Sequence, residues 1–204
     1  MTDHPSRRAL CGTCLRPRSS CICQWIVAAP FDARLLILQH PLEVDQAKGS
    51  GRLLHLCVPG SVLLSGEQFD SDSLHQALYG DGRTPVLLYP AADAPSTAAA
   101  LTLPAGALRL VVLDGTWRKS RKMLHLNPLL AALPRLALSD MAPSRYRIRK
   151  AHAPDQLSSF EAAAHALAQL QGDASAGPAL EDLMAAFDGF VGQQAAYAAA
   201  GKTS

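Results

Sequence analysis

The sequence predicts an α/β fold, with a mostly parallel sheet covered by helices on both faces and a small four-cysteine zinc knuckle ahead of it. Short apolar runs that end at turn residues alternate with stretches of helical periodicity, as in parallel sheets. Four of the five cysteines fall near the N-terminus. The 204 residues, of which 49% are hydrophobic, suffice for one α/β domain and an appendage. We predict a tail and knuckle at 1–28 and a main domain at 29–204.

The N-terminal cysteines form two closely spaced pairs. Cys11 and Cys14 enclose two residues, and Cys21 and Cys23 enclose one. Thiolates at the two-residue spacing bind one side of a tetrahedral Zn²⁺ ion, whereas the tighter second pair is a less usual spacing. We therefore predict a closed, structural zinc site on these four thiolates, with reduced and unligated thiols as the alternative.

Apolar runs predict the strands. Each run is short, rich in leucine, isoleucine or valine, and ends near a turn residue, as buried strands do. The runs lie at Arg34–Pro41, Ser61–Ser65, Pro85–Pro90, Arg109–Leu113 and Leu136–Leu138. The alternating cations of Ser144–Lys150 predict an exposed edge strand.

Periodicity and capping residues predict the helices between and after these strands. Ser158 lies three residues before Glu161, which predicts a capping box at a helix that continues to Gln171. The other helical segments are Phe69–Tyr79, Thr116–Leu126 and the amphipathic Pro178–Tyr197, with Ala98–Leu101 as a weak helical or loop stretch. The glycine-rich segment Lys48–Arg52 opens the apolar run Leu53–Val58, either as an ordinary helix start or as a loop that holds a phosphate or a carboxylate, and Leu129–Leu133 is a short apolar run. Cys57 lies in an apolar run and is predicted to be a small core residue.

The stretch Leu110–Trp117 carries the clearest functional pattern. A buried strand ends in Asp114, and a glycine, a threonine, Trp117 and the cations of Arg118–Lys122 follow. Open α/β sheets bind ligands at the carboxyl ends of their strands. We predict that Asp114–Trp117 form the floor of an active site and that the basic helix after them faces RNA.

Charge is concentrated in one part of the chain. Residues 109–150 hold ten basic and two acidic residues, a net +8, whereas the whole chain carries +2. Clustered positive charge suits a phosphate backbone, although a solvated charged face is the commoner outcome. No apolar run is long enough to span a bilayer and Met1–Leu10 has no signal-peptide core, so a cytoplasmic protein is expected.

Six motifs in this order make the sequence resemble the DTW-domain proteins, which are named for an aspartate-x-threonine-tryptophan motif. The motifs are the four N-terminal cysteines, Gln39–Glu43, Leu88–Pro90, Asp114–Trp117, Ser144–Arg149 and Leu157–Ala162. Each motif is short, but their joint order over most of the chain is specific.

The resemblance implies a tRNA-uridine aminocarboxypropyltransferase. Such an enzyme moves the 3-amino-3-carboxypropyl group of S-adenosylmethionine to N3 of a tRNA uridine and releases methylthioadenosine. It also implies that 29–204 form a SPOUT-like catalytic domain with a C-terminal trefoil knot that holds S-adenosylmethionine. The implied partner is tRNA, neither a membrane nor DNA is expected, and monomer and homodimer both stay open.

The resemblance and the chemistry together assign roles to residues. Uridine N3 is a poor nucleophile while protonated, and Asp114 is the candidate base because partial desolvation raises the proton affinity of a carboxylate. The predicted catalytic set is Asp114, Thr116 and Trp117. The predicted cofactor-binding set is Leu88, Tyr89, Pro90, Leu113, Asp114, Gly115, Leu138, Ser144, Tyr146 and Arg149. The predicted RNA-binding set is Arg118, Lys119, Arg121, Lys122, Arg145, Arg147 and Lys150.

Several alternatives stay open at this point. Asp114 or Thr116 could instead be the N-cap of the following helix, since both residue types are common there. Trp117 could instead be a buried core residue. At the level of function, a knotted methyltransferase would transfer the methyl group of the same donor. A zinc-knuckle RNA-binding protein would bind tRNA without catalysis.

Overall fold

The computed structural model describes residues 9–90, 106–138, 144 and 157–200. Within them, five parallel strands form one sheet in the order β2-β1-β4-β3-β5. The strands are β1 (Arg34–Gln39), β2 (Val62–Ser65), β3 (Thr84–Leu88), β4 (Leu108–Asp114) and β5 (Arg135–Leu136). Four of the five apolar runs form strands as predicted, the fifth run, Leu136–Leu138, shares only Leu136 with β5, and the parallel sheet is confirmed. The predicted edge strand Ser144–Lys150 lies outside the described residues except for Ser144, which is not in a strand.

The central pair, β1 and β4, sets the position of the candidate site. Their register runs from Arg34 opposite Arg109 to Gln39 opposite Asp114. Both strands are buried over nearly their whole length, because helices cover the two faces of the sheet. Parallel pairing brings the carboxyl ends of neighbouring strands to one edge, so Gln39 and Asp114 lie side by side there.

Six α-helices are present in the described residues. They are α1 (Gly51–Cys57), α2 (Ser71–Tyr79), α3 (Trp117–Leu126), α4 (Pro128–Ala131), α5 (Ser159–Gln171) and α6 (Asp173–Ala200). The capping box is confirmed: Ser158 accepts from the Glu161 amide and Glu161 accepts from the Ser158 amide. The predicted start of the last helix at Pro178 is wrong. The helix begins at Asp173, since the alanine-rich sequence ahead of the proline favours helix and Ala176 is buried.

Two hydrophobic clusters lie on opposite faces of the sheet. One cluster joins alternate β1 and β4 residues to α1, α5 and α6, and includes the stacked rings of Phe160 and Phe187 at 4.8 Å. The other joins the remaining strand residues to α2, α3 and α4 around Leu36 and Met123. Helices therefore cover both faces, as predicted. Cys57 is fully buried, which confirms its predicted place in the core.

The cysteine segment packs against α6. The indole N–H of Trp25 donates to Oε1 of Gln193. Nε2 of Gln193 donates to the Cys21 carbonyl at 3.0 Å, and the Tyr197 hydroxyl donates to the Ser19 carbonyl at 2.6 Å. Among the described residues, none of the helices is both long enough and apolar enough to cross a membrane.

Candidate active site and metal centre

Asp114 is the last residue of β4 and is buried, with 8% of its surface exposed. Nε2 of Gln39 donates to Oδ2 of Asp114 at 2.8 Å. The backbone extends the pairing of the two strands, since the His40 amide donates to the Asp114 carbonyl at 2.9 Å. An amide donor stabilises the ionised carboxylate and fixes its orientation. The carboxylate is thereby held in one orientation at the strand edge.

Gly51, the first residue of α1, lies against this carboxylate. A Cβ placed on Gly51 would come within 2.3 Å of Oδ2 of Asp114 and 3.1 Å of Nε2 of Gln39. A side chain at this position would therefore push on both members of the hydrogen bond. Residue 51 is glycine because a side chain would collide with Asp114, and not because its backbone conformation requires glycine.

The variant Gly51→Ala is expected to impair chemistry at Asp114 while the protein still folds. The added methyl group displaces the Asp114 carboxylate, and displacements near 1 Å cost up to about a hundredfold in rate. We expect the single-turnover rate constant of a reaction at Asp114 to fall about tenfold to a hundredfold. Overpacking costs about 1–3 kcal/mol, so the melting temperature should fall by about 2–12 °C with the protein still folded at 25 °C. Gly192→Ala, at an exposed α6 position with open space around its Cβ, is the matched control. Equal rate constants for Gly51→Ala and wild type would contradict the close approach.

Ion pairs join α3 to the loops of this edge. Nζ of Lys119 lies 2.7 Å from Oε1 of Glu43, and Nζ of Lys122 lies 2.8 Å from Oε2 of Glu67. Glu67 also contacts Nε2 of His40 at 2.8 Å, while Nδ1 of that ring accepts a backbone amide two residues on. Lys122 and then His40 hold the pKa of Glu67 below its usual value. These contacts fix the loops after β1 and β2 against α3.

The cations of α3 therefore divide into two kinds. Lys119 and Lys122 have the carboxylate partners just described, whereas Arg118 and Arg121 are exposed. Arg109, which contributed to the predicted positive segment, is buried and pairs with Asp81 at 2.6 Å. A count of charges along the sequence thus overstates the positive potential that the described surface presents.

Trp117 begins α3 and is 47% exposed, so its interpretation as a core residue is wrong. The ring of Tyr89, just after β3, meets the indole edge-on, with centroids 5.5 Å apart and an interplanar angle of 74°. The guanidinium of Arg135 lies 5.3 Å from the Tyr89 ring centroid. An exposed indole, packed edge-on against Tyr89, therefore lies at the edge of the sheet where β4 ends.

Thr116 is the N-cap of α3. Its hydroxyl oxygen accepts from the Lys119 amide at 3.4 Å, and its backbone is extended as an N-cap requires. The cap explains why α3 starts at Trp117 directly after the glycine turn. It also shows that Asp114 is not the cap of this helix.

Ser144 lies next to the start of α5. Its hydroxyl donates to Oε2 of Glu161 at 2.8 Å, and the same carboxylate completes the capping box of that helix. Glu161 is 1% exposed. Its carboxylate is thus a fixed anchor for the chain at Ser144.

The remaining predicted residues fall into two groups. Leu88, Pro90, Leu113, Gly115 and Leu138 lie at or just beyond the carboxyl ends of β3, β4 and β5, near Tyr89 and Asp114. Tyr146 and Arg149 of the predicted cofactor set, and Arg145, Arg147 and Lys150 of the predicted RNA set, lie outside the described residues.

Sequence reasoning missed two residues that define the Asp114 site, Gln39 and Gly51. Gln39 belongs to a motif singled out in the sequence, but its role needed the parallel register of β1 and β4. Gly51 belongs to a glycine-rich segment that by itself also suits an ordinary helix start.

The four N-terminal cysteines come together as one cluster. Their Sγ atoms all lie within 4.8 Å of one another. The distances are 3.6 Å between Cys11 and Cys23 and 3.7 Å between Cys14 and Cys21. Four sulfurs about 2.3 Å from a tetrahedral Zn²⁺ would lie about 3.8 Å apart, so the cluster fits a metal ion. Four thiolates would complete the coordination sphere of such an ion and leave no position open for a substrate.

The surroundings of Cys11 and Cys23 shift the pKa values of their thiols in opposite directions. Hydrogen bonds from the backbone of Cys14 and Thr13, and contacts with Cys23 and Cys21, lower the pKa of Cys11 to about 6. Burial, followed by contacts with the other cysteines, raises the pKa of Cys23 to about 12. A cation is the group that would let both carry a thiolate at neutral pH, since metal ions deprotonate coordinating thiols.

The fold and these two sites define a class: a parallel α/β protein with an acid at a strand end and an N-terminal cluster of four cysteines that could hold a metal ion. Comparison with known families narrows the class. The family model described as the DTW domain matches residues 8–195, and the chain belongs to the DTW-domain family.

Curated relatives agree with this assignment. A Drosophila melanogaster protein named "tRNA-uridine aminocarboxypropyltransferase 2" is 32% identical over 175 residues, which cover 83% of this chain and 69% of the relative. Mouse and Macaca fascicularis proteins of the same name are each 29% identical, over 83% and 81% of this chain. The chain spans 59% of the mouse and 57% of the macaque relative. No solved structure matches the chain significantly.

Proposed function

We propose that this chain transfers the 3-amino-3-carboxypropyl group of S-adenosylmethionine to N3 of a uridine in tRNA, releasing methylthioadenosine. Membership of the DTW family and the names of the relatives support this reaction. The observation that carries it is the buried Asp114 carboxylate, oriented by Gln39 at the strand edge beside the exposed Trp117.

Asp114 acts as the base in the proposed step. Its carboxylate takes the N3 proton of uridine, the N3–Cγ bond forms, and the Cγ–S bond breaks with its electron pair returning to sulfur. The sulfonium is already a good leaving group, so the protein mainly supplies the base and the alignment of N3 with the γ-carbon. Gln39 and Gly51 hold the carboxylate in place for this step.

The rest of the site would bind the two substrates. Trp117 presents an exposed ring on which the uridine or the adenine would stack, and Tyr89 supports that ring. The predicted cofactor contacts at the ends of β3 and β4 lie at the same edge, which is where open α/β sheets bind ligands. Thr116 contributes by fixing the start of α3.

Exposed cations near this edge would bind the tRNA backbone. Arg118 and Arg121 on α3 suit phosphate contacts, and the cations predicted at Arg145, Arg147 and Lys150 belong to the same proposal. Such contacts make binding salt-dependent and carry little sequence information. Lys119 and Lys122 would have to exchange their carboxylate partners to join them.

The metal, the fold class and the location complete the proposal. Zn²⁺ is the ion that four thiolates in tetrahedral arrangement favour. The SPOUT-like fold and its C-terminal knot remain part of the proposal through the family resemblance. Reduced cysteines in a metal cluster suit the cytoplasm. The proposed function is compatible with both a monomer and a homodimer.

Product analysis tests the reaction. Incubation of the protein with unmodified tRNA and S-adenosylmethionine is expected to give methylthioadenosine and a uridine heavier by one aminocarboxypropyl group. Liquid chromatography with mass spectrometry measures both products. Adenosylhomocysteine with a methylated nucleoside would instead identify a methyltransferase. Binding of tRNA with neither product would leave an RNA-binding protein.

A further inference from the structure

The cysteine knuckle holds one arginine in a fixed position. Residues 9–18 form a small hairpin in which Leu10 bridges Pro17 and the Cys11 amide donates to the Arg16 carbonyl at 2.8 Å. The backbone of Arg16 is therefore tied directly to a metal-binding residue. A metal ion bound by the four thiolates would fix the hairpin and therefore the position of the Arg16 backbone.

The Arg16 guanidinium reaches from the knuckle to the main domain. Nη1 donates to the Ala47 carbonyl and Nη2 donates to the Gly49 carbonyl, each at 2.6 Å. The same group lies 5.2 Å from the ring centroid of Phe190 in α6. A planar fork can hold two carbonyls in this way, whereas a lysine ammonium cannot match the geometry.

A second contact runs in the opposite direction. Nη2 of Arg52, in the first turn of α1, donates to the carbonyl of Thr13, which lies between Cys11 and Cys14. The knuckle and the segment 47–52 therefore hold each other through two arginines, one from each side.

The segment held by these arginines forms one wall of the Asp114 site. It lies in the loop that follows β1 and ends at Gly51, whose α-carbon lies against the Asp114 carboxylate. Lys119 holds the same loop from the α3 side through Glu43. Between that anchor and α1, Arg16 contacts the carbonyls of Ala47 and Gly49 from outside the loop.

We propose that Arg16 is a positioning residue through which the metal knuckle sets the distance of Gly51 from Asp114. The four-thiolate centre then has a second role besides stabilising the fold, because it fixes one wall of the acid's site. The catalytic consequence rests on the proposed function, whereas the structural linkage does not.

Hydrogen exchange on the zinc-loaded, tRNA-free chain tests the linkage. We expect Arg16→Ala to keep its zinc and its overall exchange pattern, but to speed exchange in peptides covering 46–54 by about tenfold or more, since two charge-assisted hydrogen bonds are lost. The amides of Gly49 and Leu54, bonded to Gln46 and Ser50, report the change. Arg18→Ala, an exposed arginine of the same knuckle, is expected to leave that exchange unchanged.

The alternative results are distinct. Wild-type exchange at 46–54 in zinc-loaded Arg16→Ala would overturn the proposal. Faster exchange throughout the chain would mean that Arg16 only stabilises the fold, and would overturn it as well. Because no activity is measured, a failure here says nothing against the proposed transferase reaction.

Single-turnover kinetics then separate positioning from loss of folded enzyme. Arg16→Ala is expected to lower the rate constant of transfer about tenfold with the product amplitude and the KM for tRNA within twofold of wild type. Arg16→Lys, which keeps the charge but not the fork, should recover part of the rate. A lower amplitude with an unchanged rate constant would indicate fewer folded molecules and would contradict a positioning role.

Discussion

Asp114→Asn is expected to lower the rate constant of the proposed aminocarboxypropyl transfer by about 10² to 10⁴, the usual contribution of a general base. The asparagine has the shape of the aspartate and its side-chain oxygen can still accept from Gln39, so the site keeps its geometry. What it loses is the ability to take the N3 proton. Single-turnover assays with saturating tRNA and S-adenosylmethionine measure the effect.

The controls separate chemistry from stability and from net charge. Asp182→Asn makes the same change of charge at an exposed α6 position and should react at the wild-type rate. The melting temperature of Asp114→Asn should lie close to that of the wild type. If Asp114→Asn transferred the group within about threefold of the wild-type rate, a general base at this position would be ruled out.

Much of the fold followed from local patterns in the sequence. Buried strands are short apolar runs that end at turn residues, and this signal located four of the five strands of the sheet and Leu136 of the fifth. The capping box at Ser158 was equally local, because both of its hydrogen bonds join residues three apart. The sequence places the start of α6 too late because proline is most often tolerated in the first turn of a helix, whereas Pro178 lies inside this helix.

The contacts that define the site were less predictable because they join distant parts of the chain. The Gln39–Asp114 hydrogen bond spans 75 residues and depends on strand order, which the sequence does not state. Charge patterns have the same weakness. Lys119 was predicted to contact RNA, yet its ammonium pairs with Glu43, 76 residues away. A net charge counts cations but does not show which carboxylates fold against them.

The two centres of the protein are connected by packing as well as by Arg16. Cys14 and Ile22 are almost completely buried and belong to the same hydrophobic cluster as Phe187 and Phe190 of α6. The knuckle is thus continuous with the core on one face of the sheet. Loss of the metal should therefore affect the stability of the main domain and not the N-terminal segment alone.

Removal of the metal is accordingly expected to cost several kcal/mol of folding free energy, because structural zinc sites bind with about 10–16 kcal/mol in isolated peptides. The wild-type chain should contain about one zinc per chain, and Cys11→Ser should contain much less. Its melting temperature should fall by about 10 °C or more, at about 2–4 °C per kcal/mol for a chain of this size. Zinc analysis and thermal unfolding measure both effects.

The fifth cysteine provides the matched control for this prediction. Cys57 is buried in the same cluster but lies outside the four-thiolate centre, so Cys57→Ala removes a buried sulfur without removing a ligand. That variant should keep its zinc, and its stability loss should be smaller than that of Cys11→Ser, because it loses packing and one weak hydrogen bond to the Trp25 carbonyl but no metal ligand. A wild-type chain that is free of metal, folded and as stable as the zinc-loaded protein would refute the structural role of the centre.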